Sequence, residues 1–151
     1  MGGASRAARR ATVSVVTLAP GPSPAHRSFL AFDFGTRRVG VASGNSLTRS
    51  AQPLRTIAAT GDARFEAIAK LIGEWRPDAL VVGVPFHPDG APHENTERAR
   101  RFARQLTGRF ALPVAEVDER YSTTEAAARG ARDLDAASAA IILDQFLSQL
   151  P

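Results

Sequence analysis

The sequence predicts a single α/β domain, and three observations carry that reading. Residues 29–44, FLAFDFGTRRVGVASG, hold two strand-like segments joined by a glycine-bearing turn. ALVVGVP at 79–85 is a continuous apolar run of strand length, the pattern of a strand covered on both faces. Between and after these segments, apolar residues recur at helical spacing.

Residues 29–34 form the first predicted strand, GTRR the turn, and VGVAS the start of the second. AQPLRTIAA gives a short third strand, and Pro53 near its start suits an edge, where a missing N–H is tolerated. Asp62 is placed to cap the next helix, whose Phe65, Ile68, Ile72 and Trp75 share a face before Pro77 stops it. The run at 79–85 is the fourth strand. FHPDGAPHEN is a turn-rich loop long enough to serve function. A helix follows near Thr96–Leu106 with Ala99, Phe102, Ala103 and Leu106 inward, and PVAEVDE from Pro113 is the fifth strand. STTE at 122–125 is a capping box for a helix over roughly 123–131, and a last helix runs from about Asp135 to Gln149. The predicted order is β-β-β-α-β-α-β-α: an antiparallel meander, then βα units parallel to the first strand, giving a five-stranded mixed sheet with helices on both faces.

At 151 residues the chain is long enough to bury a real core. No apolar run approaches membrane-spanning length, so no membrane association is expected. Cysteine is absent, which excludes disulfides, thiolate metal sites and cysteine nucleophiles and points to a cytoplasmic protein. Charge is divided unevenly. Residues 1–27 contain Arg6, Arg9, Arg10 and Arg27 and no acid, whereas the remainder balances 15 basic against 15 acidic residues. The opening segment, with its short VSVVTLA run and with Pro20, Pro22 and Pro24, reads as a flexible basic tail rather than a signal peptide. The folded domain is residues 28–151, and any attraction for nucleic acid must come from local patches on it.

Three groups of carboxylates stand apart. Asp33 interrupts an apolar strand, which is unfavourable without a partner. Asp118 and Glu119 end the fifth strand. Asp135 opens the last helix on the stripe 135, 138, 139, 142, 143, 146, 147 and 150, and therefore lies at the end of its buried face. Each has an ordinary explanation: Asp33 could accept backbone hydrogen bonds from the turn, Glu119 could form an exposed pair with Arg120, and Asp135 or Asp133 could cap the helix. If the strands are neighbours the acids can instead converge, where like charges repel unless a cation sits among them. An oxygen-only ligand set favours Mg2+ or Mn2+, and such ions serve phosphodiester cleavage. Arg37 and Arg38 in the turn and Arg98, Arg101 and Arg104, with Arg100, on the middle helix are candidates for holding a phosphate backbone; solvated surface charge is the alternative for each.

LAFDFGTRRVGVA, PDALVVGVPFHPDG, ERARRFARQL, VDERYSTTEA and LDAASAAIILDQFL resemble, in order, the motifs of the YqgF family, also called RuvX, over residues 28–149. The resemblance implies an RNase H-like fold, a cytoplasmic location, and metal-dependent nuclease activity in maturing the 5′ end of pre-16S rRNA. Its members carry the names Holliday junction resolvase and pre-16S rRNA nuclease. It further implies that Asp33, Glu119 and Asp135 are catalytic and metal-binding, with Asp118 as an alternative second ligand and Arg120 within the DER motif facing nucleic acid. The expected partner is structured RNA or branched DNA, including the ribosomal small-subunit precursor, and a homodimer is compatible with the pattern. Two departures stand out: AAARGARDLD is compact where the family carries a longer segment, and His87 stands where Asn is common. The other readings are a junction-resolving DNA nuclease, a non-catalytic nucleic-acid-binding module of the same fold, and, ranked last, a fragment related to DxGT ATPases, for which the chain is too short.

Overall fold

The computed structural model describes residues 13–14, 27–120 and 132–151. Its elements are β1 (Val13–Ser14), β2 (Ser28–Phe34), β3 (Val39–Asn45), β4 (Ser50–Ile57), α1 (Gly61–Trp75), β5 (Ala79–Phe86), α2 (Thr96–Phe110), β6 (Val114–Arg120) and α3 (Leu134–Ser148). The capping box at 122–125, the predicted helix over 123–131, Tyr121 and the tail arginines Arg6, Arg9 and Arg10 lie outside the described residues.

The sheet runs in the order β1-β6-β5-β2-β3-β4. β2, β3 and β4 form the antiparallel meander, while β5 and β6 add parallel to β2 on its other side. All five predicted strands are present. β1 is a sixth, pairing Val13 with Val117 and Ser14 with Glu116, so at these two residues the tail is part of the sheet. β4 is an edge strand, as Pro53 requires, and its register shifts opposite Val41 and Ala42.

Helices cover both faces. On one, α1 and α2 pack Phe65, Ile68, Leu71, Phe102 and Leu106 against Leu30, Phe32, Val41, Leu80 and Val82. On the other, α3 packs Ile142, Leu143, Phe146 and Leu147 against Phe29, Ala31, Val81, Ala115 and Val117. Three local expectations are corrected. Thr60 occupies the N-cap position of α1 and Asp62 lies in the first turn, 3.6 Å from Arg109. Leu71, not Trp75, completes the buried stripe of α1, because the helix ends at Trp75 and leaves that ring 43% exposed. α2 continues four residues past Leu106 to Phe110.

Candidate active site

Strand parity decides which side chains share the α3 face. Along β2, Phe29 and Ala31 join the α3 core, so Asp33 follows them on that face at the carboxyl end of the strand. Along β6, Ala115 and Val117 do the same, which brings Glu119 to the same face and buries it to 5% exposure. Val114 joins the opposite core, and Glu116 pairs with Arg100 of α2 at 3.8 Å. Asp118 shares their parity. Alternation therefore sets Asp118 on the other face from Asp33 and Glu119, although its charge still acts on Glu119.

Asp33 has a glycine as its partner on each side: Gly40 on β3 and Gly83 on β5. A Cβ on Gly40 would lie 1.9 Å from the carbonyl oxygen of Asp135, and one on Gly83 would lie 2.3 Å from Cδ1 of Ile142. These absent side chains let the first turns of α3 rest on the sheet beside Asp33. Asp133 fixes the helix start: its carboxylate accepts from the backbone N–H of Ala136 and from the hydroxyl of Thr56, and the Thr56 bond is the main reason its pKa lies below the usual carboxylate range. Thr56 is the β4 partner of Gly40, so the row Thr56–Gly40–Asp33–Gly83 runs across four strands, from beneath the amino end of α3 at Gly40 to beneath Ile142 at Gly83. Asp135 is held at the edge of that row, where Nε of Arg38 donates to its Oδ2 at 2.8 Å.

The electrostatics follow from this placement. Burial pushes Asp33 up to about 7, and the charge of Asp135 adds to the shift. Burial pushes Glu119 up to about 8, with Asp33 and then Asp118 contributing repulsion. The donor set is thus made of hard oxygen groups that repel one another, the chemistry that suits a divalent cation. In the arrangement shown, no three of the described His, Asp and Glu residues gather round one point closely enough to enclose an ion. Asp135 is turned instead to Arg38.

The predicted arginines divide. Arg38 is on the α3 face with the acids, and Arg37 is exposed in the same turn. Arg98, Arg101 and Arg104 belong to α2, which packs on the other face. Arg104 pairs with Glu97 at 2.9 Å, Arg98 donates to Asn95 Oδ1, and Arg100 lies over the Phe86 ring. They do not converge on the acids. The side chain of Arg120 is outside the described ones. The rings of His87 and His93 lie against each other, tilted by 45° with centroids 4.9 Å apart, in the loop after β5. A cleft of about 370 Å³ lined by Asn45, Thr48 and Trp75 sits at the Ser28 end of β2, away from Asp33.

Sequence reasoning missed two contributors. Gly83 reads as one more residue of an apolar strand, and only its partner Ile142 shows why it is a glycine. Arg64 reads as a surface residue of a helix, yet it is buried, donating to the carbonyls of Ala59 and Thr36 beneath the β2–β3 turn.

A meander followed by two parallel additions, with acids at the carboxyl ends of the first and last parallel strands and on the closing helix, defines an RNase H-like domain. Thermus thermophilus RuvC, solved in complex with a Holliday junction substrate, shares the fold with a TM-score of 0.50 at 12% identity, over 82% of this chain and 97% of that one. The RuvX family, described as Holliday junction resolvase, matches residues 27–149, and the chain belongs to this family. A protein from Albidiferax ferrireducens is 67% identical over 137 residues, 87% of this chain and 88% of its own. One from Polaromonas sp. strain JS666 is 70% identical over 125 residues, 83% of this chain and 91% of its own. Both bear the name "Putative pre-16S rRNA nuclease".

Proposed function

We propose that this chain is a divalent-metal-dependent nuclease that hydrolyses phosphodiester bonds in the 5′ region of pre-16S rRNA, in the cytoplasm, during ribosome biogenesis. One observation carries the reading most directly: half-buried Asp33 and buried Glu119 share one sheet face, with pKa values raised by desolvation and by neighbouring acids, at the point where two glycines admit the helix bearing Asp135. A fold gains no stability from such a group of charges, so a ligand that neutralises them is the physical reason to keep it.

Asp33, Glu119 and Asp135 would hold the ion or ions. Bound Mg2+ or Mn2+ supplies a more acidic attacking water and stabilisation of the leaving oxygen. The remaining work falls to the chain itself. Asp33 is fixed by a central strand, and the amino end of α3 is held against the neighbouring β3 and β4 by Gly40 and by the Thr56–Asp133 bond. Arg37 and Arg38 present guanidinium groups to backbone phosphate beside the acids. Because the acids stand at the end of the sheet rather than inside the cleft at Ser28, a polymer can lie across them.

The ion pair between Asp135 and Arg38 favours a second reading, in which the domain docks on nucleic acid without cutting it. Asp33→Asn separates the two. Purified wild type should cleave a pre-16S leader RNA in Mg2+, and D33N should lose at least about a thousandfold in rate while binding that RNA with little change. Undiminished cleavage by D33N rejects the nuclease mechanism. Inactivity of both proteins, together with D33N that still supports rRNA maturation in cells, favours docking. Faster cutting of a four-way DNA junction than of the RNA would move the substrate to branched DNA.

A further inference from the structure

We propose that Arg38 occupies Asp135 in place of the cation and releases it when a nucleic-acid phosphate takes the guanidinium, so that ion and substrate bind cooperatively. The inference rests on the metal-dependent reading above and adds the order in which the site is assembled.

Arg38 has the parity of Gly40, so its side chain emerges on the α3 face one step from the row that holds Asp33. Its Nε meets Asp135 Oδ2 at 2.8 Å, and the side chains are 62% and 31% exposed. The backbone of Asp135 has little freedom to move away. Its carbonyl fills the space over Gly40, and Asp133, two residues earlier, is the N-cap bonded to Thr56. What remains free to choose is the carboxylate. It is turned to Arg38, no three described acids are gathered round one point, and the charge of Asp135 is already felt by Asp33.

An ion pair this exposed is weak and exchangeable. A guanidinium also has five N–H donors in a fork that suits phosphate as well as carboxylate. A substrate phosphate close to the acids therefore competes for Arg38, and a phosphate that takes the guanidinium frees Asp135 for the ion. By linkage, the ion must strengthen substrate binding by the same factor. A site built this way holds its ion weakly until a backbone is present.

The test is Mn2+ binding to the full chain, followed through the EPR signal of free Mn2+, with and without a short phosphorothioate RNA whose own Mn2+ uptake is subtracted. Arg38→Gln should bind Mn2+ about two- to fivefold more tightly than wild type without RNA, the range that an exposed ion pair permits. RNA should tighten Mn2+ binding in wild type, and that gain should be absent in R38Q. Arg37→Gln removes the same charge one residue away and should change Mn2+ affinity less than R38Q does. R38Q binding Mn2+ no better than wild type, R37Q matching R38Q, or RNA coupling that persists in R38Q would each overturn the exchange. The control is Asp33→Asn. Mn2+ binding lost in D33N but unmoved by R38Q overturns this inference alone, whereas binding unchanged in D33N removes the metal site itself.

Discussion

The two faces of strand β2 are made from alternate residues of one seven-residue segment, and they are stabilised in opposite ways. Leu30, Phe32 and Phe34 point to α1 and α2, where Phe102 touches three rings: Phe32 at 6.0 Å, Phe34 at 5.3 Å and Phe65 at 5.9 Å between centroids. Phe29, Ala31 and Asp33 point to α3, where the contact begins as aromatic packing of Phe29 on Phe146 at 5.1 Å and ends in a carboxylate between two glycines. The first face depends on volume. The second depends on how closely a helix backbone can approach and on charge that is unfavourable there. A domain can keep crowded, partly desolvated acids on one side because the other side supplies ordinary hydrophobic stability.

The largest expected effect tests the first face. Phe102→Ala should destabilise by about 3–5 kcal/mol in chemical denaturation, through lost burial and the cavity left among three rings. Cleavage below its melting temperature should remain near wild type, since no acid is touched. Large loss of activity in the folded variant would show that the two faces are not independent.

Gly40→Ala should do the reverse. The added methyl meets the Asp135 carbonyl, so α3 must shift; stability should fall by only about 1–3 kcal/mol. Cleavage should fall about a hundredfold, because a displacement of about 1 Å at the acids is enough. Cleavage assays beside denaturation curves would show whether activity drops out of proportion to stability.

Charge on the second face predicts a pH slope. Asp33 and Glu119 titrate at about 7 and about 8 when folded, above the ordinary 3.8 and 4.5, so the folded state binds more protons than the unfolded state between these limits. Metal-free protein should therefore be most stable below about pH 4 as far as these groups are concerned, and lose that stability as pH rises to about 8. Melting temperatures in EDTA across this range should fall, and saturating Mg2+ should flatten the trend. Asp33→Asn should also flatten it and melt higher than wild type at the alkaline end without metal. A slope unchanged in D33N would break the account of that face.

The smallest effect lies away from both faces. Arg76 caps α1 in the left-handed region at φ 47°, where a side chain is disfavoured. Arg76→Gly should raise stability by about 1 kcal/mol without altering cleavage.

Much of the fold was legible from short-range pattern. The unbroken apolar run of β5, the Pro53 edge and the inward set Ala99, Phe102, Ala103 and Leu106 all appear where period and propensity put them. Legibility fails where a contact at long sequence separation decides. Trp75 has the spacing of a core residue but falls at the last helical position, where it lines a cleft instead of the core. Val13 and Ser14 carry no strand signal that distinguishes them from their neighbours, and become a strand only because β6 offers an edge. The basic residues of α2 looked like companions of the acids until the helix took the other face.

The sequence by itself determined the five main strands, the three described helices and the family, and it singled out three acids as candidates, because these depend on residue type and spacing along a local backbone. The tertiary structure decided that Glu119 rather than Asp118 shares the face of Asp33, that Gly40 and Gly83 hold the space that brings α3 down beside it, and that Arg38 holds Asp135. Those facts arise from strand parity and the closeness of two backbones, 95 residues apart at Gly40 and Asp135, which no local pattern encodes.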